Sequence, residues 1–494
     1  MNYLDELILL RNSYRNVKAA LPWLDASVWQ GEKTDFPNCA KSLQTPCVPA
    51  ETISPSQAGQ IASIKAGHGN CIFRYNPSIS GSLETISPLM PELASARIPL
   101  VILHTDMPIS EIRDFAKSYP AATFILESGP RKILYFISQV AELLTSCPNV
   151  FLSTYNFSNW MGIEQFCQKG FASRLLYGSH WPKYDTGVAM GPIITANIPW
   201  EAKCDIAGNN MRRLLGQQAM TTKETPFIPA SPFIIDSHCH NIDAGVQSPC
   251  NFPLPDEHMS PADWIDFMNR LSIDKIFSTP TLPLYGLDSA SHASQKMRKY
   301  APSRFYYYEV FNPNIAAEAE RLATDVKKSG CAGIKIHPSQ HNVAADSDAY
   351  SPVYELAARY NLPILTHSWE ISEYNPCQYL SHPDRFRKHL ERHKNIHFIL
   401  GHAGGRPSAI DATTKLCKDF PNVVADLAGD YFHNGVVEAM VERLGNSKVL
   451  FASDMNWFDP SCMLGAVLGS SLPDKHVLNI LRNNATAFFS VIHK

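Results

Sequence analysis

An apolar run that ends in two histidines is the feature that most limits how this chain can fold. The run Phe233-Ile234-Ile235-Asp236 has the pattern of a buried strand and continues directly into Ser237-His238-Cys239-His240. Residues two apart on a strand point to the same side, so His238 and His240 project together from the strand's C-terminal end. Two imidazoles in this arrangement can bind one divalent cation. The alternative is a pair of polar residues where a strand leaves the core.

The chain after residue 232 repeats this plan. Short apolar runs alternate with amphipathic stretches of helical periodicity. Eight such runs occur, at 233–240, 273–281, 304–313, 331–338, 362–368, 396–404, 423–429 and 449–457. Strands that alternate with helices in this way predict an α/β fold, the (β/α)8 TIM barrel, with an open doubly wound sheet as the alternative.

Polar side chains suited to metal binding or proton transfer stand at the ends of five of these runs. They are His238 and His240, Lys335 and His337, His367, His402, and Asp454. Because the C-terminal ends of all strands converge at one face of a barrel, this pattern favours the barrel over the open sheet. It also predicts that these side chains form one site.

The stretch Gln217 to Pro232 divides the chain. It is polar, contains three prolines and lacks periodicity, as linkers do. A chain of 494 residues is also too long for one ordinary core. We therefore predict a first domain at 1–216, a linker at 217–232 and a second domain at 233–494. Fifteen of the 18 histidines follow the linker, so imidazole chemistry belongs to the second domain.

The first half repeats the second in an eroded form. Phe124-Ile125-Leu126 matches Phe398-Ile399-Leu400, and Tyr177-Gly178-Ser179 matches Phe451-Ala452-Ser453. The interval along the chain between the two members is identical for both pairs. Coincidence does not preserve such spacing, so we predict a tandem duplication.

The eroded copy lacks most of the candidate site. The matched positions hold Ser27 and Trp29 for the paired histidines, Ser128 for His402, and His180 for Asp454, whereas His104 matches His367. The interval from Asn76 to His104 is only about half of the matching interval from Asn312 to His367, so the copy lacks room for the strand that bears Lys335. We predict a degenerate or incomplete TIM-barrel-like domain that is catalytically silent.

The motifs of the second half resemble those of the amidohydrolase superfamily, in its amidohydrolase-related (amidohydrolase 2) branch of metal-dependent barrel hydrolases and decarboxylases. The matching pieces are DSHCH at 236–240, GIKIHP at 333–338, LTHS at 365–368, GHAGG at 401–405 and FASD at 451–454. The resemblance implies one divalent metal, most often zinc, within a set of four ligands: His238, His240, His367 and Asp454. It implies further that His402 lies beside the metal and the substrate.

Physical chemistry agrees with that assignment. Three imidazoles and a carboxylate suit zinc and leave a position open for water, whose pKa the metal lowers from about 16 toward about 7. Asp454 is the candidate to accept the water's proton and pass it to a leaving group. His402 is the candidate to donate to the oxyanion that develops on the substrate. The alternatives are a helix-capping role for Asp454 and a turn role for His402.

Lys335 has two interpretations. A lysine inside the barrel can be carbamylated and bridge a second metal, as in some branches of the superfamily, or it can bind a substrate carboxylate. We favour the carboxylate, because a buried lysine usually has a negative partner. Residues near the strand ends are predicted to shape the substrate pocket, although loop residues often have no function; they are His337, Trp369, Glu370, Arg406 and Trp457.

The sequence thus predicts a metal-dependent hydrolase that cleaves an amide, lactam or lactone bond of a small, carboxylated substrate through a metal-activated water. The alternatives are a non-oxidative decarboxylase or lyase of the same superfamily, and a non-catalytic binding or scaffold protein. A net charge of −3 without a basic stripe argues against nucleic-acid and membrane partners. Scattered cysteines and a start without a secretory pattern predict a cytoplasmic protein. The first half is expected to serve as an internal partner where a second subunit would bind.

Overall fold

A computed structural model of the chain describes residues 2–27, 46–129, 136–241, 260–280, 292–371 and 375–490. The chain divides into two compact units. The N-terminal unit contains the described residues of Tyr14–Phe227, and the C-terminal unit combines the segment that ends at Ser13 with the described residues from Ile228 onward. The grouping of the first segment differs from the predicted division, in which residues 1–216 formed one domain.

The N-terminal unit contains a sheet of six parallel strands that lie side by side in chain order. The strands are β1 (Ala50–Thr52), β2 (Ile72–Arg74), β3 (Leu100–Leu103), β4 (Phe124–Glu127), β5 (Val150–Ser153) and β6 (Leu175–Leu176). An extended segment at 25–27 joins the two edges. Asp25 forms a parallel bridge with Cys47, and the Ala26 amide donates to the Tyr177 carbonyl at 2.9 Å. The strands therefore close into a ring.

This ring has one strand fewer than a complete barrel. β2 pairs directly with β3, at the place where the sequence leaves no room for a counterpart of the strand that bears Lys335. The prediction of an incomplete barrel is confirmed. An apolar cluster fills the unit and joins Ile72, Val101 and Ile125 of neighbouring strands to Met211 of a C-terminal helix.

The C-terminal unit contains eight parallel strands in chain order. They are β7 (Ile234–Asn241), β8 (Ile273–Pro280), β9 (Phe305–Val310), β10 (Cys331–Ile336), β11 (Ile364–His367), β12 (Phe398–Gly401), β13 (Val423–Asp426) and β14 (Val449–Leu450). The Ser237 amide donates to the Phe451 carbonyl at 3.1 Å, and the Asp454 amide donates to the His238 carbonyl at 2.9 Å. These bonds join β7 to the segment after β14, so the predicted TIM barrel is confirmed.

Helices connect the strands in both units. In the first part of the chain they are Tyr3–Ala20, Ile61–His68, Pro77–Ser80, Leu83–Ile86, Met90–Ala96, Ile109–Ser118, Ile137–Ser146, Gly162–Gln168, Thr186–Thr195, Trp200–Cys204 and Asn210–Leu214. In the second part they are Pro261–Arg270, His292–Tyr300, Glu318–Asp325, Pro338–His341, Ser351–Tyr360, Arg387–Arg392, Ile410–Asp419, Val436–Leu444, Pro460–Gly469, Asp474–Leu478 and Asn484–Ser490. Within the described ranges, no helix has the length and apolarity needed to cross a membrane.

Local sequence explains why these elements form. All four residues of β12 are buried, as expected for a strand with one face in the barrel core and the other under helices. Helix Pro261–Arg270 begins at Ser260, whose hydroxyl accepts from the Asp263 amide while the Asp263 carboxylate accepts from the Ser260 amide. This capping box satisfies amides that lack a partner inside the helix.

The first helix is fastened to the C-terminal unit through Arg11, which is 2% exposed. Its guanidinium donates to the carbonyls of Leu468 at 3.1 Å, Ser470 at 2.6 Å and Leu472 at 3.1 Å, and it also contacts the Asp474 carboxylate. These carbonyls lie at or just past the end of helix Pro460–Gly469, where unpaired acceptors and the negative end of the helix dipole favour a cation. Residues before Tyr14 are therefore an integral part of the C-terminal unit.

The two units share local details at a constant spacing. Each has a π-helical turn, at Asp205–Asn209 and at Asn479–Asn483. The residue after each turn is an asparagine that holds the last strand: the Asn210 side chain donates to the Leu175 carbonyl at 2.9 Å, and the Asn484 side chain donates to the Val449 carbonyl at 2.8 Å. The interval between the two turns equals the interval between the matched sequence segments.

Candidate metal centre

His238 lies in β7, inside the barrel, and is held from two sides. Its Nδ1 lies 3.0 Å from Oδ2 of Asp426 at the end of β13, and its Nε2 lies 2.9 Å from Nζ of Lys335 on β10. The three side chains are 0 to 1% exposed. A carboxylate beside Nδ1 accepts a hydrogen bond from an N–H at that nitrogen, so the proton of the neutral ring sits on Nδ1 and Nε2 keeps its lone pair. Asp426 therefore orients the imidazole so that Nε2 can donate its lone pair to a metal ion.

His240 and Asp454 complete a compact group with His238. One donor atom from each residue lies within 4.8 Å of the others. Nε2 of His240 is 3.0 Å from Oδ1 of Asp454, and Nε2 of His238 is 3.8 Å from that oxygen. Within the described ranges, Oδ1 of Asp454 is buried and has no hydrogen bond of acceptable geometry. Two imidazoles and a carboxylate with an unsatisfied buried oxygen fit a divalent cation.

His402 borders this group. Its backbone amide donates to Oδ1 of Asp426 at 2.7 Å, and its Nδ1 lies 4.0 Å from Oδ2 of Asp454. The residue has a φ of 66°, in the left-handed region. Gly429 permits the close approach of the ring, because a Cβ at that position would lie 2.6 Å from Nδ1 of His402. The turn after β12 thus directs the imidazole toward Asp454.

His367, the fourth predicted ligand, is oriented differently. Its Nε2 lies 2.8 Å from Oε1 of Gln378, and it is not part of the three-residue group. Its ring is stacked on His337, with centroids 4.0 Å apart, and on Trp369, with centroids 5.3 Å apart. The described geometry therefore brings three of the four predicted ligands together, and a ligand role for His367 stays a prediction.

The predicted pocket residues lie around the same strand ends. The Arg406 guanidinium is 4.8 Å from the centre of the Trp369 ring and pairs with Asp430 at 3.1 Å. The Trp457 ring centre is 6.3 Å from that of His240. Oε2 of Glu370 lies 3.6 Å from Nε2 of His382. Trp457 is thus beside the group, whereas Arg406 contacts Trp369, whose ring lies 5.3 Å from that of His367 and 5.2 Å from that of His402.

Burial and neighbouring charges set the protonation of the centre. Burial lowers the pKa of Lys335 to about 8 and that of His402 to about 4. Burial and the Lys335 ammonium hold the pKa of His238 well below its usual range. Burial opposes ionisation of Asp454, but His402, His240 and His238 together bring its pKa well below the usual value. Neutral imidazoles and an ionised carboxylate are the forms that bind cations.

The corresponding place in the N-terminal unit holds a charge network. The Arg74 guanidinium donates to both carboxylate oxygens of Glu127, at 2.9 and 2.8 Å. Nε2 of His180 lies 2.7 Å from Oε1 of Glu127, and the Ser27 hydroxyl donates to Oε2 of the same carboxylate. Burial raises the pKa of Glu127, but Arg74 and His180 outweigh it and lower the pKa far below its usual value. The guanidinium supplies the positive charge here. Nδ1 of His104, the residue matched to His367, accepts from the Gly129 amide at 3.2 Å. Trp29 is outside the described residues.

Several site residues escaped the sequence analysis. Asp426 ends the observed strand β13, but it lies in the middle of the predicted run 423–429, so the strand-end argument did not single it out. Gln378 lies in the short helical segment Pro376–Ser381, and no motif marks it. Arg74 and Glu127 stand at strand ends of the first half. The sequence comparison of the two halves identifies the site residues that are missing there, but not the residues that replace them.

A (β/α)8 barrel with paired histidines on its first strand and an aspartate after its last is the arrangement of metal-dependent barrel hydrolases and lyases. The sequence profile of the amidohydrolase family matches residues 235–491, just over half of the chain. The chain belongs to the amidohydrolase family. A search of curated proteins finds no match to this sequence.

Solved structures with some similarity also exist. A 2,6-dihydroxybenzoate decarboxylase from Rhizobium is 13% identical, with 53% of this chain and 99% of that chain covered and a TM-score of 0.41. A 5-carboxyvanillate decarboxylase from Novosphingobium aromaticivorans, complexed with manganese, is 13% identical, with 52% and 96% covered and a TM-score of 0.42. A TIM-barrel protein from Bordetella bronchiseptica is 14% identical, with 53% and 99% covered and a TM-score of 0.44. Similarity at this level does not decide the reaction of this chain.

Proposed function

We propose that the C-terminal unit is a metal-dependent enzyme that acts on a small, carboxylated molecule. The observation that carries this proposal is the group formed by His238, His240 and Asp454, whose donor atoms lie within 4.8 Å of one another inside the barrel. These three residues would hold one divalent cation. A bound cation of this kind supplies Lewis-acid chemistry to an oxygen of the substrate or of water. The donor set suits zinc and also manganese.

Lys335 supports a carboxylated substrate. Its ammonium is 1% exposed and 2.9 Å from Nε2 of His238, at the centre of the site and not at its edge. A substrate carboxylate paired with Lys335 would therefore lie at the reacting centre. This position favours non-oxidative decarboxylation, in which the bond between the carboxyl carbon and its neighbour breaks, carbon dioxide leaves, and the neighbouring carbon takes one proton. Lys335, with a pKa of about 8, carries a proton at neutral pH and is the candidate donor.

Hydrolysis of an amide, lactam or lactone is the second candidate. The observation that favours it is Asp454, a buried carboxylate with a strongly lowered pKa, which is an ionised acceptor for the proton of an attacking water. His402, with its Nδ1 4.0 Å from Asp454, would donate to the substrate oxygen once it receives that proton. In this reaction Lys335 holds a carboxylate that survives the reaction.

One experiment tests the proposal and separates the two reactions. The metal-reconstituted full chain is incubated with panels of aromatic carboxylates and of carboxylated lactones and anilides. Carbon dioxide release indicates decarboxylation, and release of acid without carbon dioxide indicates hydrolysis. His238→Ala must lose metal and turnover, whereas His393→Ala, a histidine outside the group, must keep both. Full metal content in His238→Ala would refute the assignment.

We infer that the two units arose by duplication and that the N-terminal unit is catalytically silent. The support is the pair of π-helical turns at equivalent positions of the two units and the replacement of the donor group by the Arg74 and Glu127 pair. An internal partner of this kind would take the place of a second subunit. Accordingly, His104→Ala in the full chain should leave metal content and turnover unchanged. If the His238→Ala variant retained metal at His104 or His180, the inference that the N-terminal unit is catalytically silent would be contradicted.

A further inference from the structure

A cavity of the C-terminal unit lies among residues other than those of the group formed by His238, His240 and Asp454. Its volume is about 370 Å3, and its lining includes Gln295, Arg298, Lys299, Tyr307 and Lys328. Helix His292–Tyr300 contributes Gln295, Arg298 and Lys299 to the lining, and β9 contributes Tyr307. This volume is within the range of about 300 to 1,000 Å3 that small-molecule sites occupy.

Positive charge dominates the lining. Arg298 and Lys299 form no ion pair with any residue in the described ranges. Lys328 pairs with Asp325 at 2.8 Å, but that carboxylate also accepts from Arg321 at 2.8 Å. The cavity therefore holds at least two positive charges without acidic partners from the described chain, which matches a ligand with two negative charges.

The Arg298 side chain is fixed in place. Its guanidinium lies 4.5 Å from the centre of the Tyr306 ring and donates to the Phe305 carbonyl at 3.1 Å. Its aliphatic part packs against Gly330, where a Cβ would approach Cδ of Arg298 to 2.6 Å. Gly330 also has a φ of 89°, which is in the left-handed region. Both this backbone conformation and the close approach of Arg298 favour glycine at the position. A cation held this way loses little side-chain entropy when a ligand binds.

Buried polar atoms of the lining lack partners. The Tyr307 hydroxyl, the Gln295 side-chain nitrogen and Nε of Arg298 are buried and make no hydrogen bond within the described part of the chain. Tyr307 itself is 1% exposed. Buried donors of this kind are normally satisfied, so three of them on residues that line one cavity indicate a missing acceptor. The acidic groups facing Tyr307 from neighbouring elements are Glu309 and Asp325, and both contact Arg321.

We propose that this cavity binds a small organic phosphate monoester. The dianionic phosphate pairs with Arg298 and Lys299, and Tyr307 and Gln295 donate to it or to hydroxyls of the organic part. Charge-assisted hydrogen bonds from a guanidinium and an ammonium are the usual means of holding phosphate. The cavity is larger than inorganic phosphate requires, so the ester should bind more tightly than the free ion. This site is independent of the proposed reaction.

Calorimetric titration of the full chain with glycerol phosphate, inorganic phosphate and glycerol, at constant ionic strength, tests the proposal. We expect one site per chain that prefers glycerol phosphate. Lys299→Gln should weaken binding about tenfold, and Tyr307→Phe, which removes one hydroxyl, should weaken it about three- to tenfold. The matched control is Lys296→Gln, which removes the same charge from an exposed position of the same helix and should leave binding unchanged.

The metal centre is a competing phosphate site, so the titration is repeated with His238→Ala. Binding that persists in this variant and weakens with Lys299→Gln supports the proposal. Binding lost with His238→Ala, equal weakening by Lys296→Gln and Lys299→Gln, or no detectable binding would each overturn it. Because no step measures turnover, failure here leaves the proposed reaction untouched.

Discussion

Replacing Arg74 with methionine should expose the cost of an unpaired charge in the N-terminal unit. Arg74 donates two hydrogen bonds to Glu127, whose side chain is 0% exposed, while that of Arg74 is 16% exposed. The substitution keeps most of the side-chain volume but leaves a buried carboxylate without its guanidinium. Removing one partner of a buried pair typically costs about 3 to 5 kcal/mol. We expect a loss of that size, because His180 and Ser27 contact the carboxylate but have no fixed charge.

Peptide-resolved hydrogen exchange is the appropriate assay, because a chain of two units does not unfold in two states. Opening of the amides of β4 (Phe124–Glu127) should become about 100- to 4,000-fold more frequent, which is the same free energy at about 1.4 kcal/mol per tenfold. The matched strand β12 (Phe398–Gly401) of the C-terminal unit serves as an internal reference and should not change. Arg113→Met, which removes an arginine from a surface helix of the same unit, is the control variant and should have little effect.

A double variant decides whether charge or packing causes the loss. Arg74→Met with Glu127→Leu removes both charges and should recover most of the protection, because no buried charge remains unpaired. In Arg74→Met alone, the deficit should shrink as the pH falls and Glu127 takes up a proton. Less than about 1 kcal/mol of destabilisation, or no recovery in the double variant, would refute the reasoning, since a surface ion pair gives effects of that size.

Four further outcomes are expected of the two units. Metal analysis of the purified chain should find about one divalent ion per chain, and none in the variant His238→Ala; more than one would favour a carbamylated Lys335. For a carboxylated substrate, kcat/KM should fall as the pH rises through about 8, where Lys335 loses its charge, and a flat profile would argue against its role. The pKa of Glu127 is lowered on folding, so its contribution to the stability of the N-terminal unit is complete above the unfolded pKa of about 4.3 and is lost as the pH falls below that value. Exchange of the β4 amides should therefore accelerate below that pH. Exchange that does not accelerate would show that Glu127 is not coupled to folding. Residues 230–494 produced alone should self-associate or precipitate, because they lack Arg11 and its bonds, and a soluble, fully active fragment would contradict this.

Much of the fold followed from periodicity alone. The eight runs identified eight strands, because each strand of a parallel barrel is buried on both faces and its sequence is continuously apolar. The rule that residues two apart share a side brought His238 and His240 together correctly. Strand ends predicted the position of Asp454 for the same geometric reason.

The sequence did not predict which side chains that are far apart along the chain contact each other. His367 turns toward Gln378, and no local pattern connects that glutamine to a strand end 11 residues earlier. Arg74 and Glu127 are 53 residues apart, and an arginine at a strand end is as consistent with a solvated surface as with a buried pair. The burial of Arg11 could not be predicted either, since an arginine on an amphipathic helix normally faces water.

The bond between Arg11 and the Leu468 carbonyl spans 457 residues of chain, which has a consequence for synthesis on the ribosome. Translation adds about 5 to 20 residues per second, so the first helix emerges roughly 20 to 90 seconds before its acceptors exist. During that interval the N-terminal unit can fold, whereas the segment up to Ser13, with Leu7 and Leu10 fully buried in the finished protein, lacks the surface that covers it. The barrel whose strands are made last is therefore completed by a helix that is made before any of them.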